Sequence, residues 1–222
     1  MVVALIVADG DVPDRADVDR LLGGAPQLVI AADGGALKAE AIGYPAGVVV
    51  GDADSLDAAQ VERLRTAGAE VVIHPAAKDE SDTELALNEA LTRGATRVVI
   101  VGAFGGGRLD HTLANILLVA SEHLKGRDIC LADGASTLRV MHDDELLQIL
   151  GAPTDYVSLL PLTRHVSGVT TAGLRYALTG GMLEQGPARG LSNELTASSA
   201  TIQIGQGRLA VIHTRRTEVD DR

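Results

Sequence analysis

The chain has 222 residues, enough for one large or two modest domains with a substantial core. Apolar residues make up 46% of it but aromatics only 2%, so the core has to be assembled from Val, Leu, Ile and Ala, a composition suited to parallel sheets covered on both faces. A formal net charge of −11 argues against nucleic-acid and anionic-membrane partners, which call for clustered Lys and Arg, and leaves an anionic substrate open where a metal ion carries the positive charge.

The N-terminal run Val2 to Ala8 is apolar, too short to span a bilayer and without the basic start of a signal peptide, so it reads as a strand. Further short β-branched runs follow at Leu28 to Ala31, Val48 to Val50, Val71 to Ile73, Val98 to Val101 and Ile129 to Leu131. Amphipathic stretches predict helices between them, over Arg15 to Leu22, Ala36 to Ile42, Ala58 to Ala67, Thr83 to Arg93 and Leu109 to Leu124. Strand and helix alternating at this spacing imply βαβ units and a Rossmann-like parallel sheet, with ligands collecting beyond the carboxyl ends of the strands.

After Ala135 helical periodicity fades. Runs such as Tyr156 to Leu160, Arg175 to Leu178, Thr201 to Ile204 and Leu209 to His213, separated by Gly, Pro, Ser and Thr, predict a smaller antiparallel β-sandwich. The expected organisation is an α/β catalytic domain over 1–135 and a β-sandwich domain over 136–222. Cys130 is the single cysteine, which rules out an internal disulfide and fits a reducing, cytoplasmic setting.

Most predicted strands are followed at once by Asp or Gly: Asp9-Gly10, Asp33-Gly34-Gly35, Gly51-Asp52, Gly102 and Asp133-Gly134. Each alone is ordinary turn chemistry. Together they place acids on one rim. In Gly51-Asp52-Ala53-Asp54-Ser55 two carboxylates one residue apart can aim at a single hard cation, although Ser55 or Asp57 would also cap the next helix. The second cluster, Lys78-Asp79-Glu80-Ser81-Asp82-Thr83-Glu84, contains a capping box from Ser81 to Glu84. Capping accounts for one or two of its acids. Two carboxylates about 5 Å apart repel by roughly 3 kcal/mol at an effective dielectric near 20, and a divalent cation removes that cost.

The run Gly102-Ala103-Phe104-Gly105-Gly106-Gly107-Arg108-Leu109-Asp110-His111 is the most informative. Three glycines between a strand and a helix let backbone N–H groups approach a phosphate, Arg108 can grip phosphate oxygens, and Asp110 and His111 lie in the first helical turn. No Gly-Lys-Ser/Thr follows, so this is not a Walker A loop, and its place after the fifth strand sets it apart from the dinucleotide fingerprint.

At Asp33-Gly-Gly, Gly51-Asp-Ala-Asp-Ser55, Lys78-Asp-Glu-Ser-Asp82 with Glu84, Gly105-Gly-Gly-Arg-Leu-Asp-His111 with Asn115, and Ser192-Asn193, the sequence resembles the thiamine pyrophosphokinase family, in the family's order and across almost the whole chain. The resemblance implies transfer of a pyrophosphoryl group from ATP to the hydroxyethyl oxygen of thiamine, giving thiamine diphosphate and AMP. It implies a homodimer whose thiamine pockets lie between subunits. It implies Asp52, Asp54 and Asp82 as Mg²⁺ ligands, Asp33, Lys78, Asp79, Gly105, Gly106, Gly107, Arg108 and His111 around the nucleotide and its phosphates, Asp82 or Asp110 as proton acceptor, and Tyr176, Ser192 and Asn193 at thiamine. The competing readings are another Mg²⁺-dependent pyrophosphokinase or phosphotransferase acting on a different small alcohol such as a pterin, a haloacid-dehalogenase-like phosphatase built on Asp52-x-Asp54, and a non-catalytic sensor of nucleotide or thiamine.

Overall fold

The computed structural model describes residues 1–52, 56–75 and 77–216. The chain divides into two compact units: Met1–Leu118 with Arg127–Gly134, and Val119–Gly126 with the chain from Ala135 onward.

The first unit is a parallel sheet of six strands: β1 (Val3–Val7), β2 (Leu28–Ala32), β3 (Val48–Gly51), β4 (Glu70–Ile73), β5 (Arg97–Val101) and β6 (Asp128–Ala132). Their spatial order is β6-β5-β1-β2-β3-β4. Leu5 is in register with Val29 on one side and Val99 on the other. The chain therefore leaves β1 in one direction for β2, β3 and β4, then crosses to the opposite side for β5 and β6. That reversal opens a crevice at the carboxyl ends of β1 and β5. Strand alternation explains the aliphatic composition: Leu5, Val7, Val99 and Val101 pack with Val18, Leu21 and Leu22 on one face, while Ala4, Ile6 and Ile100, turned the other way, are also fully buried.

Five helices connect these strands: α1 (Arg15–Leu22), α2 (Gly35–Ala41), α3 (Ala58–Thr66), α4 (Asp82–Thr92) and α5 (Leu109–Val119). Side-chain caps set the starts of α1, α3 and α4. Asp14 accepts from the Asp17 amide, Asp57 and Gln60 form a reciprocal capping box, and Ser81 Oγ accepts from the Glu84 amide. The last helix stops at Val119, five residues short of the predicted Leu124. Ser121 is extended (φ −66°, ψ 141°) and opens a separate 3₁₀ turn, Glu122–Leu124. The Ala120 carbonyl accepts from Arg208 Nη1 at 2.8 Å instead of continuing a helix.

The second unit is an antiparallel sandwich. One sheet has the order β12-β9-β14-β7 and the other β11-β10-β13-β8, from β7 (Ser136–Met141), β8 (Leu146–Leu150), β9 (Tyr156–Pro161), β10 (His165–Ala172), β11 (Gly181–Glu184), β12 (Asn193–Glu194), β13 (Ser199–Gln203) and β14 (Leu209–Thr214). Both sheets feed one core through Met141, Val157, Leu159, Val169, Ile202 and Val211. The predicted strand Arg175 to Leu178 does not form. Asn193 brackets Tyr176, its Oδ1 accepting from the Tyr176 amide at 3.0 Å and its Nδ2 donating to the Tyr176 carbonyl at 2.8 Å, so a side-chain amide occupies both groups that a neighbouring strand would need.

Asp155 ties the second unit together. It is buried and accepts from the Ala152 amide (2.9 Å), the Arg216 amide (3.0 Å) and His213 Nε2 (2.9 Å). Burial alone would raise its pKa, but these three bonds outweigh it and hold the carboxyl below its usual 3.8. A depressed folded pKa contributes stability above the unfolded value that is lost as pH falls through the folded one. Asp155→Asn is therefore expected to cost about 1–3 kcal/mol at pH 7, with the melting temperatures of variant and wild type converging below about pH 4. Equal melting temperatures at pH 7 would remove Asp155 from this role.

Candidate active site

The turn after β2 places Asp33 in a left-handed conformation (φ 44°), nearly fully buried, with its amide donating to the Val50 carbonyl at 2.9 Å. The turn after β3 presents Asp52, and the first turn of α4 presents Asp82. Carboxylate oxygens of Asp33, Asp52 and Asp82 lie within 4.8 Å of one another. At that separation each pair of charges repels by about 3 kcal/mol at an effective dielectric near 20. Lys78 relieves part of this. Its side chain, 11% exposed, reaches Asp82 Oδ1 at 2.8 Å and Asp52 Oδ2 at 3.8 Å. Burial pulls the Lys78 pKa down, yet the hydrogen bond to Asp82 and the charges of Asp82, Asp52 and Asp33 hold it above its usual value. A fixed ammonium among three converging carboxylates marks the place where positive charge is most stabilised.

Of the expected trio Asp52, Asp54 and Asp82, two meet here, and Asp54 lies outside the described residues. The third acid of the cluster is Asp33, which sequence reasoning assigned to the nucleotide. Its only local signal is an Asp before two glycines; 19 residues separate it from Asp52, and only the β2–β3 register brings the two rims level.

Facing the acids is the glycine-rich turn between β5 and α5. Gly105, Gly106 and Gly107 have φ of 74°, 66° and 75°, a conformation costly to residues with a side chain. Buried Asn115 pins this turn to α5 by donating to the Ala103 carbonyl at 2.9 Å. Together these segments enclose a cleft of about 540 Å³ lined by Asp33, Asp52, Lys78, Asp82, Gly105 and Gly106, and also by Asp9, Gly10, Arg108, His111 and Asn115, a size typical of small-molecule sites. Glu80, Ser81 and Thr83 line it as well, whereas Asp79, Gly107 and Asp110 do not. Asp110 instead takes both arms of Arg108, Nε at 3.0 Å and Nη2 at 2.7 Å. The hydrogen bond and charge of Arg108 hold the Asp110 carboxyl well below the usual carboxylate range. The pair is exposed, so an incoming phosphate can compete for the guanidinium.

In the second unit Tyr176, Ser192 and Asn193 gather locally. Tyr176 is 65% exposed, its ring 5.7 Å below the Arg175 guanidinium, while Arg175 Nη1 also meets Glu194 at 3.0 Å. Asn193 is buried by its bracket on Tyr176, and Ser192 (φ 55°) donates its amide to Ser158 Oγ.

Converging acids and a glycine turn at the switch point of a doubly wound sheet define an enzyme of the α/β class that handles phosphate groups. Residues 20–131 match the family model "Thiamin pyrophosphokinase, catalytic domain", and residues 138–209 match "Thiamin pyrophosphokinase, vitamin B1 binding domain". The chain belongs to the thiamin pyrophosphokinase family. A thiamine pyrophosphokinase of Bacillus subtilis is 29% identical over 164 residues, 74% of this chain and 76% of that protein. The structure of thiamin pyrophosphokinase from Geobacillus thermodenitrificans superposes with a TM-score of 0.82 at 27% identity, covering 98% of this chain and 99% of that one. A thiamin pyrophosphokinase family protein from Enterococcus faecalis gives 0.81 at 29% identity, covering 98% and 100%.

Lys78 carries a stability prediction. Its raised folded pKa contributes stability below the unfolded value of 10.5 that disappears as pH rises through the folded one. Lys78→Met should lower the melting temperature at pH 7, by the equivalent of about 1–3 kcal/mol for a partly buried charge left without its partner, and the difference should close above pH 10.5. A variant that melts with the wild type at pH 7 would show that the three acids are balanced by something else.

Proposed function

We propose that this chain transfers the terminal pyrophosphoryl group of ATP to the hydroxyethyl oxygen of thiamine, giving thiamine diphosphate and AMP. The observation that carries this is the match of both family modules, catalytic over 20–131 and vitamin B1-binding over 138–209, on a chain whose own cleft gathers acids, a lysine and a glycine turn. The second module supports thiamine over a pterin or another alcohol.

The donor set suits Mg²⁺. Asp33, Asp52 and Asp82 offer hard oxygen ligands within 4.8 Å of one another, in the place where Lys78 already sits as a cation. When bound there, the metal neutralises charge on the transferred phosphates. Lys78, once displaced from Asp82, and Arg108, once exchanged from Asp110, supply donors to the phosphate oxygens, while the amides of Gly105 and Gly106 line the same wall. His111 faces that space from the first turn of α5. Of the two proton acceptors named for the alcohol, Asp82 faces the cleft, whereas Asp110 is committed to Arg108.

Thiamine's pyrimidine is assigned to Tyr176, Ser192 and Asn193, with the Tyr176 ring as the stacking face and Asn193 holding its backbone. We assign the homodimer to an exposed leucine face of α5, Leu109, Leu113 and Leu117, spaced one turn apart. A cytoplasmic setting is part of this reading, supported by the single cysteine, Cys130, which suits a reducing compartment. Among the described residues no helix is long and apolar enough to cross a membrane.

Incubating the purified protein with ATP, Mg²⁺ and thiamine should release AMP and thiamine diphosphate in equal amounts. ADP as the product, or AMP release that ignores thiamine, would overturn the assignment. In the same assay Tyr176→Ala should raise the thiamine KM by about tenfold, roughly 1.4 kcal/mol, with the ATP KM unchanged; an unchanged thiamine KM removes the ring from the pocket.

A further inference from the structure

Lys38, on the last turn of α2, pairs with none of the three clustered acids Asp33, Asp52 and Asp82. Its ammonium donates to the main-chain carbonyl of Asp9 and to that of Gly10 at 2.8 Å, and forms an ion pair with Asp9 Oδ1 at 2.9 Å. The residues it holds form the turn after β1, and this turn braces the glycine-rich loop. The Gly10 amide donates to the Gly102 carbonyl at 2.8 Å, and the Asp11 amide donates to the Phe104 carbonyl at 2.7 Å. Gly10 approaches so closely that a Cβ there would collide with both of those carbonyl oxygens. The Asp11 carboxylate in turn lies against Gly105, where a Cβ would displace it.

A chain of direct contacts therefore runs from Lys38 through Asp9 and Gly10 to Gly102, Phe104 and Gly105. Two of its members, Asp9 and Gly10, share the cleft wall with Gly105 and Gly106. The Asp9 and Gly10 carbonyls are turned to Lys38, and the Gly10 and Asp11 amides to the glycine loop. Without Lys38 these two peptides are held by their amide hydrogen bonds to Gly102 and Phe104 alone, and the turn that supports the glycine loop loses its support on the carbonyl side. Because Lys38 and Asp9 are 37% and 55% exposed, their charge pairing adds little to global stability.

From this chain of contacts we propose that Lys38 is a positioning residue for the triphosphate subsite: it does not touch the nucleotide, but sets the turn after β1 that holds the glycine-rich loop in shape. The proposal rests on the ATP-dependent reading above. Its test uses Lys38→Met and Lys38→Arg in the full chain, with ATP affinity measured by calorimetry in Mg²⁺ alongside steady-state KM values for ATP and thiamine. For Lys38→Met the ATP Kd and KM should both rise about tenfold, while the thiamine KM stays within about twofold and the melting temperature within about 2 °C. Arg keeps the charge but replaces a compact three-way donor with a planar fork, so Lys38→Arg should raise the ATP KM by about threefold. An unchanged ATP Kd in the Met variant, an equal rise for both substrates, or a wild-type KM in the Arg variant would each overturn the proposal, the last by showing that charge alone suffices. Should the Met variant not fold, the Arg variant decides. A wild type that binds ATP but releases no AMP would defeat the proposed reaction and leave the calorimetric test of Lys38 intact.

Discussion

Three carboxylates, two from strand ends and one from the first turn of α4, converge within 4.8 Å at the rim of the parallel sheet, with one partly buried ammonium among them. Left alone, such an arrangement works against folding. It persists because the sheet fixes where β2 and β3 end and the capped start of α4 fixes Asp82. The rest of the first unit makes sense as the frame that holds this charge. Aliphatic strands buried on both faces give a rigid edge, and the reversal of strand order at β1 opens the space beside it.

The two walls of the cleft are built by different means. The acidic wall is electrostatic, and its balance changes with whatever cation or proton enters. The glycine wall is steric and backbone-made: left-handed glycines, an asparagine pin from α5, and the turn after β1 packed so closely that side chains are excluded. In phosphoryl-type transfer little covalent work falls to the protein, and most of the acceleration comes from placing charge and amides in advance. A fixed glycine wall facing an adjustable acidic wall suits that demand, and under the proposed function it reconciles a net charge of −11 with an anionic substrate.

Much of this was legible in the sequence where one residue type has one physical use. β-branched runs marked the six parallel strands, and Asp or Gly at their ends marked the rim. What escaped were features decided by tertiary partners. Asp33 reads locally as a turn residue, and its place beside Asp52 and Asp82 depends on strand register. The helix predicted through Leu124 stops at Val119 because Arg208, far along the chain, takes the Ala120 carbonyl. Arg175 to Leu178 has strand-like composition, yet Asn193 satisfies the Tyr176 backbone through its side chain. The pairing of Arg108 with Asp110, two residues apart, was equally hidden, since both residue types suit a phosphate site on their own.

The central claim is that Asp33, Asp52 and Asp82 act as one cation site, and it is tested most directly by titrating Mg²⁺ calorimetrically into protein saturated with a non-hydrolysable ATP analogue. The account predicts saturable uptake by the wild type and affinity weakened at least about tenfold in both Asp33→Asn and Asp82→Asn, with Asp33, the acid that sequence reasoning placed elsewhere, as necessary as Asp82. Equal Mg²⁺ affinity in the wild type and the two variants would contradict it.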